Sequence, residues 1–300
     1  MDFWATVTGG PRSDSDKHNR STRSAVSTTL WTVPVEELVR LLVLGLLAGA
    51  LGGLVGVGGS IVIIPVLTLL LGKDQHLSQA TAMIINVLVA AASLLQHHRA
   101  GAVQWVVVGR LVPFGLVLIV VGVLVSNTVE GEILMKLYGV FLLYVIAFSV
   151  MKLLDDHRSQ TRQESPKTGW VRVGIVGGLM GFVAGLLGIG GAPVSIPMLQ
   201  RITHLPLRQA IAVTSAAMVI TSIVGAIGKN LTLSSLTDAA GRSLGLTVQD
   251  SFLLASFLAP TAVLGALAGA RLAHILPVRW VRAAFILLMI WASIEMLGFV

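Results

Sequence analysis

The sequence predicts an all-α, polytopic integral membrane protein built from two homologous repeats, and three observations predict it. First, 55% of the 300 residues are hydrophobic and 12% charged, with a mean hydropathy of +0.87. That is more apolar side chain than one soluble core can hide. Second, apolar segments follow one another along nearly the whole chain, most of them close to the roughly 20 residues a helix needs to cross a bilayer. Third, the stretch GLVGVGGSIVIIPVL (residues 53–67) returns as GLLGIGGAPVSIPML (residues 185–199).

Residues 1–34 are polar, carry both signs of charge and lack apolar periodicity, which reads as a disordered tail. No cleaved signal is expected, because the first long apolar run begins only near Val35. The first repeat, residues 35–153, holds apolar segments at 35–54, 61–71, 78–95, 103–125 and 134–153. A polar linker, 154–170, leads to the second repeat, 171–300, with segments at 171–187, 194–199, 209–227, 251–272 and 281–300. Each set has a long helix, a glycine break, a short piece and three long helices. The short pieces cannot cross a membrane and are expected to be re-entrant or half-helical.

The duplication is residue by residue. Gly56, Gly58, Gly59 and Pro65 become Gly188, Gly190, Gly191 and Pro197, and upstream Gly45, Gly49 and Gly53 become Gly177, Gly181 and Gly185. All are displaced by 132 positions (188 minus 56, 177 minus 45). LSQATA from Leu77 returns as LRQAIA from Leu207, displaced by 130. Glycines four apart share a helix face and let another backbone approach, so the upstream set is assigned to packing.

An odd number of crossings per repeat would invert the second copy. Glu130 and Glu132 before the last helix of the first repeat face Arg271, Arg279 and Arg282 in the second, which suits opposite membrane faces. The basic tail and basic linker argue the other way, since positive loops gather on one side. We favour inversion.

A run such as GVGG lets the chain leave one helix and start another. The first amides of the new helix lack internal acceptors and in hydrocarbon cannot be left bare; an anion is the natural partner. Two breaks, with helix N-termini meeting near the midplane, would form a site between the repeats. The candidate substrate-binding residues are therefore Gly56, Val57, Gly58, Gly59 and Ser60 in the first break, and Gly188, Ile189, Gly190, Gly191 and Ala192 in the second. Pro65 and Pro197 mark where the short helices run on and are structural. Ser60 can cap its helix, meet the ligand, or both.

Together these motifs, each followed by the L[SR]QA[TI]A helix, resemble the paired signature of the TauE/SafE family of membrane exporters, over residues 35–300. The resemblance implies transport of sulfite, an organosulfonate or a related sulfur-containing anion. The second copy reads Ala192-Pro193 where the first has Ser60-Ile61, so the halves of such a site are chemically unequal.

Polar residues inside apolar helices extend the candidate list to Asn86, Thr214 and Ser215, with Ser93, Thr221 and Ser222 seven residues further along the same faces. Gln79 and Gln209 stand at helix starts. Lys229 with Asn230, and His97, His98 and Arg99, read as helix-end groups that meet lipid headgroups or form a positive vestibule. The expected partners are a small anion, the lipid bilayer and a coupling ion, proton or sodium, with Glu295 the one acid deep in an apolar segment.

The net charge of +7 fits basic membrane loops better than nucleic acid, which is not expected as a partner. With no cysteines, thiolate sites are excluded, and no cofactor or metal is expected. No enzyme is expected either: Ser60 lacks a Gly-x-Ser-Gly context, no H-E-x-x-H occurs, and GVGGS lacks a phosphate-loop lysine. An intramembrane hydrolase and a non-transporting scaffold stand as the alternatives. The secondary transporter is expected in a bacterial inner membrane; the sequence leaves the anion, the direction, the coupling ion and the oligomeric state open.

Overall fold

The computed structural model describes residues 35–55, 59–154, 168–237, 241–272 and 278–298. Helices dominate, in chain order α1 (Val35–Val55), α2 (Ser60–Pro65), α3 (Gln75–Arg99), α4 (Trp105–Thr128), α5 (Gly131–Leu154), α6 (Trp170–Leu187), α7 (Ala192–Thr203), α8 (Leu207–Leu233), α9 (Val248–Leu272) and α10 (Val278–Leu297). Six of them, α3, α4, α5, α6, α8 and α9, are long and apolar enough to cross a membrane. Two compact units are distinguished, residues 1–40, of which only 35–40 are described, and residues 41–300. The helix contacts that position the site lie within the second unit.

Glycine decides which helices touch. On α6, a Cβ at Gly177, Gly181 or Gly185 would fall on the carbonyl oxygens of Leu111, Gly115 and Ile119 of α4. On α1 and α9, a Cβ at Gly49 would strike the Ala262 carbonyl, and one at Gly265 or Gly269 the carbonyls of Leu46 and Ala50. Lipid supplies no hydrophobic drive between helices, so this close backbone contact is where the packing energy comes from. The first long helix of each sequence set thus lies against the fourth helix of the other. In both fourth helices a proline and a glycine stand nine apart, Pro113 with Gly122 and Pro260 with Gly269 (122 minus 113, 269 minus 260).

The contact partners also fix chain direction. Gly115 meets Thr221, Gly225 meets Ile119, and Lys229 meets Ser126, so α4 and α8 run parallel. Ser93 meets Ser215 while His76 meets Lys229, so α3 and α8 run antiparallel. The starts of α3 and α9 and the ends of α4 and α8 consequently lie at one end, linked also by Asn230 to Ser251. Trp105 and Trp170, both exposed, mark the opposite end, where Arg110 donates to the Thr168 carbonyl and stacks 5.8 Å from the Trp170 ring. Exposed aromatics of this kind belong at the headgroup level.

The two short helices are each buried in an apolar cluster. Every residue of α2 is buried, among Leu142, Leu258, Phe285 and Met289. Around α7, Ile196 and Leu199 pack with Leu111, Val176, Met180 and Val213. From their starts in the interior, α2 leads to the start of α3 and α7 to the start of α8, at opposite ends of the α3–α8 pair.

Proline shapes the chain beyond α2. Pro65 has no amide to give to the Ile61 carbonyl four residues earlier, and the buried Tyr138 hydroxyl of α5 donates there instead at 3.2 Å. After Pro65 the helix widens into a π-turn, Val66–Leu70, closed by the amide of Leu71 on the Val66 carbonyl at 3.2 Å.

Candidate functional site

Of the predicted site residues, Gly56, Val57 and Gly58 lie outside the described residues, and so does any geometry joining the two breaks. The second break is described in full. Gly188 ends α6 with φ +77° and Gly191 starts α7 with φ +78°, a conformation open to glycine and strained for any other residue. Helix α7 has no side-chain cap and Pro193 occupies its first turn, while the Gly188 amide donates to the Ala184 carbonyl and the Gly191 amide turns back on the Ile189 carbonyl.

Helix α3 lies against this break and offers it amide side chains. The Asn86 Nδ2 donates to the Gly188 carbonyl at 3.5 Å, and Gln79 Nε2 donates to the Leu186 carbonyl at 3.3 Å. A Cβ on Gly190 would come within 3.2 Å of Asn86 Nδ2 and would strike the end of Met218. The Asn86 Oδ1 is buried without a partner. A half-turn of that amide would present a donor where the free oxygen now lies.

The predicted hydroxyls hold helices together. Thr214 meets Ser195 of α7 at 2.9 Å, and Ser215 meets Ser93 of α3 at 2.8 Å. Thr221 donates to the Ala217 carbonyl of its own helix. Ser60 and Gly59 are buried at the start of α2, where no side chain caps the helix, so the capping role expected of Ser60 is not what its hydroxyl does. Ile189 and Ala192 are buried within the second break. Gln209 faces Gln104 rather than a break. Pro197 sits inside α7, as Pro65 sits inside α2.

One group belongs elsewhere than the sequence suggested. Lys229 does not reach a headgroup: α8 continues to Leu233, and the lysine side chain is 0% exposed. Its ammonium donates to His76 Nδ1 at 3.0 Å, Ser126 Oγ at 2.7 Å and Asn127 Oδ1 at 3.1 Å. Those acceptors saturate an ammonium's three donors. Among the described residues no carboxylate lies within 4.0 Å of it, unlike the exposed Lys136, which pairs with Glu132. The network runs on, with Ser126 donating to Gln79 Oε1 at 3.1 Å and Gln79 reaching Leu186, just before the second break.

At the same end a cavity of about 560 Å³ is lined by Thr68, Gln75, His76 and the charged Lys73, Asp74, Glu130, Glu132 and Arg242, among others. Gln75 is buried, accepts from Thr68 at 3.0 Å, and keeps its Nε2 unpartnered. Asp74 is the N-cap of α3, accepting from the His76 amide at 2.7 Å. Nowhere among the described residues do three or more His, Cys, Asp or Glu side chains gather as a metal site. Glu295, expected deep in an apolar segment, is half-buried in the last turn of α10.

Six long apolar helices, two buried half-helices and a stripe of amides facing a glycine break define a multi-pass integral membrane protein of transporter class. The chain belongs to the TauE/SafE sulfite exporter family, whose profile matches residues 41–296. It is similar to the probable membrane transporter protein MamO of Paramagnetospirillum magneticum, with 27% identity over 293 residues, 88% of this chain and 45% of that protein. It is also similar to the probable membrane transporter protein MJ0441 of Methanocaldococcus jannaschii, with 27% identity over 62% of this chain and 70% of the relative. A probable membrane transporter protein of Haemophilus influenzae shares 29% over 53% of this chain and 61% of its own. The chain thus spans about half the length of MamO. No solved structure matches.

Proposed function

We propose that this protein is a secondary transporter that carries small sulfur-containing anions, sulfite or an organosulfonate, across the bacterial inner membrane, in the export direction. The observation that carries the reading is the pair of buried short helices, α2 and α7, that begin on glycines with no side-chain cap. A helix start sheltered from water presents bare amides and the positive end of its dipole, which an anion satisfies. The family's description as sulfite exporters supports the substrate class.

Residues 35–153 and 171–300 act, on this reading, as duplicated halves with the second inverted, joined by a linker at 154–170 and preceded by a polar tail at 1–34. Support comes from the crossed packing of α1 on α9 and α6 on α4, and from the opposite directions of α3 and α8. Alternating access would rock one half against the other around the breaks.

The test is sulfite flux into vesicles reconstituted with the pure protein. Wild type should carry labelled sulfite well above protein-free vesicles, and Gly190→Leu, which drives a side chain into Met218 and Asn86, should abolish it. Gly58→Leu should do the same in the first break. Unchanged flux in both variants would refute binding at the breaks, and absence of flux for any anion would point to a scaffold.

A further inference from the structure

A lysine with no exposed surface, joined through a histidine to a solvent cavity, is an unusual group to keep in a membrane, where a buried charge is costly unless it has work to do. We propose that Lys229 and His76 form the proton-coupling site of the transporter: a proton enters from the cavity, rests on Lys229, and its charge is felt at the second glycine break. This rests on the transport reading above, its substrate and not its direction, and names the ion that reading leaves open.

Three observations carry it. The pair is in direct hydrogen-bond contact, 3.0 Å from Lys229 Nζ to His76 Nδ1, and His76 lines the cavity while Lys229 lies behind it. Gln75, next in the same wall, is buried with a donor that has no protein partner, which suits a polar molecule such as water held in the cavity. The ammonium is also tied through Ser126 and Gln79 to the Leu186 carbonyl at the mouth of the break.

The transfer balances without any further reagent. Lys229 gives one N–H proton to His76 Nδ1 while the imidazole releases its Nε2 proton to water; a neutral amine and a neutral imidazole remain. Two N–H bonds break, one on Lys229 and one at His76 Nε2, while one N–H bond forms at Nδ1 and one O–H bond forms on the cavity water, which leaves as hydronium; recharging runs the same steps backwards. The neutral amine accepts from Nδ1–H and keeps two donors for Ser126 and Asn127, so the network survives both states. What changes is one unit of buried positive charge. An anion at the break and a proton on Lys229 then favour each other, and by linkage each raises the affinity for the other.

The charged groups that face the pair are few. From the loop before α3 comes Asp74, whose field acts on Lys229, with Lys73 beside it; around the cavity stand Glu130, Glu132 and Arg242. Helix α4 offers Ser126 and Asn127, and α8 adds Thr232, which Asn127 contacts at 2.8 Å. These last three are uncharged.

The decisive variant is Lys229→Arg. Arginine keeps the charge and the donors but holds its proton throughout, so a structural role survives and a proton-carrying role does not. In reconstituted protein on a solid-supported membrane, a pH jump with no sulfite present should displace charge in wild type and in Ser256→Ala, whose exposed hydroxyl bonds only the Leu253 carbonyl of its own helix. The signal should vanish in Lys229→Arg and in His76→Gln, with melting temperature and size-exclusion profile serving to show that each variant is folded. In vesicles, acceleration of sulfite uptake by a proton gradient should fall about tenfold or more in Lys229→Arg, the size of a typical coupling, while sulfite exchange without a gradient continues. A pH-jump signal that persists in both variants, or is absent from wild type, overturns the relay. A signal lost in Lys229→Arg, in a wild type that moves no sulfite, upholds the relay and refutes the sulfite reading. Gradient-driven sulfite uptake equal in wild type and Lys229→Arg does the reverse.

Discussion

The short helices α2 and α7 belong to fifteen-residue strings identical at nine positions, yet they solve the same backbone problem differently. Helix α7 starts from Gly191 in the left-handed region and continues past Pro197 as regular helix to Thr203. Helix α2 starts from Gly59 in the right-handed region, at φ −68°, and beyond Pro65 gives way to a π-turn. The Ile61 carbonyl released by Pro65 is taken by Tyr138, a residue from another helix. Similar sequence fixes where a helix must break, and the neighbours decide how the loose backbone groups are satisfied.

The neighbours differ most in polarity. Helix α3 brings Gln79 and Asn86 to the second break. At the displacement of the following helix, 130, the position matching Asn86 is Ala216 (86 plus 130), which is buried in an apolar cluster. Gln79 also joins this second break to the Lys229 network.

The largest effect should come where the two regions are alike. Gly49→Leu and Gly181→Leu each place a side chain on a facing backbone carbonyl that cannot yield without separating the helices. Both variants should fail to yield monodisperse protein in detergent, a loss well above the roughly 1–3 kcal/mol of ordinary overpacking. If only one of them folds, the two seams are not equivalent and the crossed packing of the sets is not a shared device.

Much of this packing can be read from the chain. Glycines at four-residue spacing announce a contact face, and Gly45, Gly49, Gly177, Gly181 and Gly185 all make one. The short helices and their boundaries fall close to the apolar pieces at 61–71 and 194–199. The role of Lys229 is not legible, because an apolar run ending at residue 227 looks like the end of a helix. One further turn of α8 carries the lysine inward, and its three acceptors lie on α3 and α4, more than a hundred residues away. The π-turn is hidden for a similar reason: it depends on which neighbour takes up the carbonyl that proline frees.

Next in size is the amide that distinguishes the second break. Asn86→Ala removes the donor to the Gly188 carbonyl and the buried Oδ1, and sulfite flux should fall about tenfold, the effect of roughly 1.4 kcal/mol at the transition state. The reciprocal Ala216→Asn should not raise flux. A flux equal to wild type in Asn86→Ala would remove the chemical inequality between the breaks.

Tyr138→Phe should affect stability more than transport. It leaves the Ile61 carbonyl buried without a donor, at a cost of about 1–3 kcal/mol, which lowers the melting temperature of detergent-solubilised protein. No equivalent hydroxyl serves α7 among the described residues, so the same measurement on Ser195→Ala should show a smaller loss, that of one hydroxyl pair with Thr214.

The smallest effect should be that of Ser60→Ala, and its smallness is informative. Serine at a helix start ordinarily serves as a cap worth about 1 kcal/mol, and it is the one side chain in the first break able to hold an anion by its own hydrogen bond. In this protein its hydroxyl caps nothing, and alanine already stands at the matching position, Ala192, in the second break. If backbone amides bind the anion, replacing Ser60 with alanine makes the two starts alike and should leave both flux and melting temperature within about twofold and about 0.5 kcal/mol of wild type. A tenfold fall in sulfite flux with unchanged stability would instead make Ser60 a ligand contact, and would shift the centre of the site from the amide-lined second break to the first.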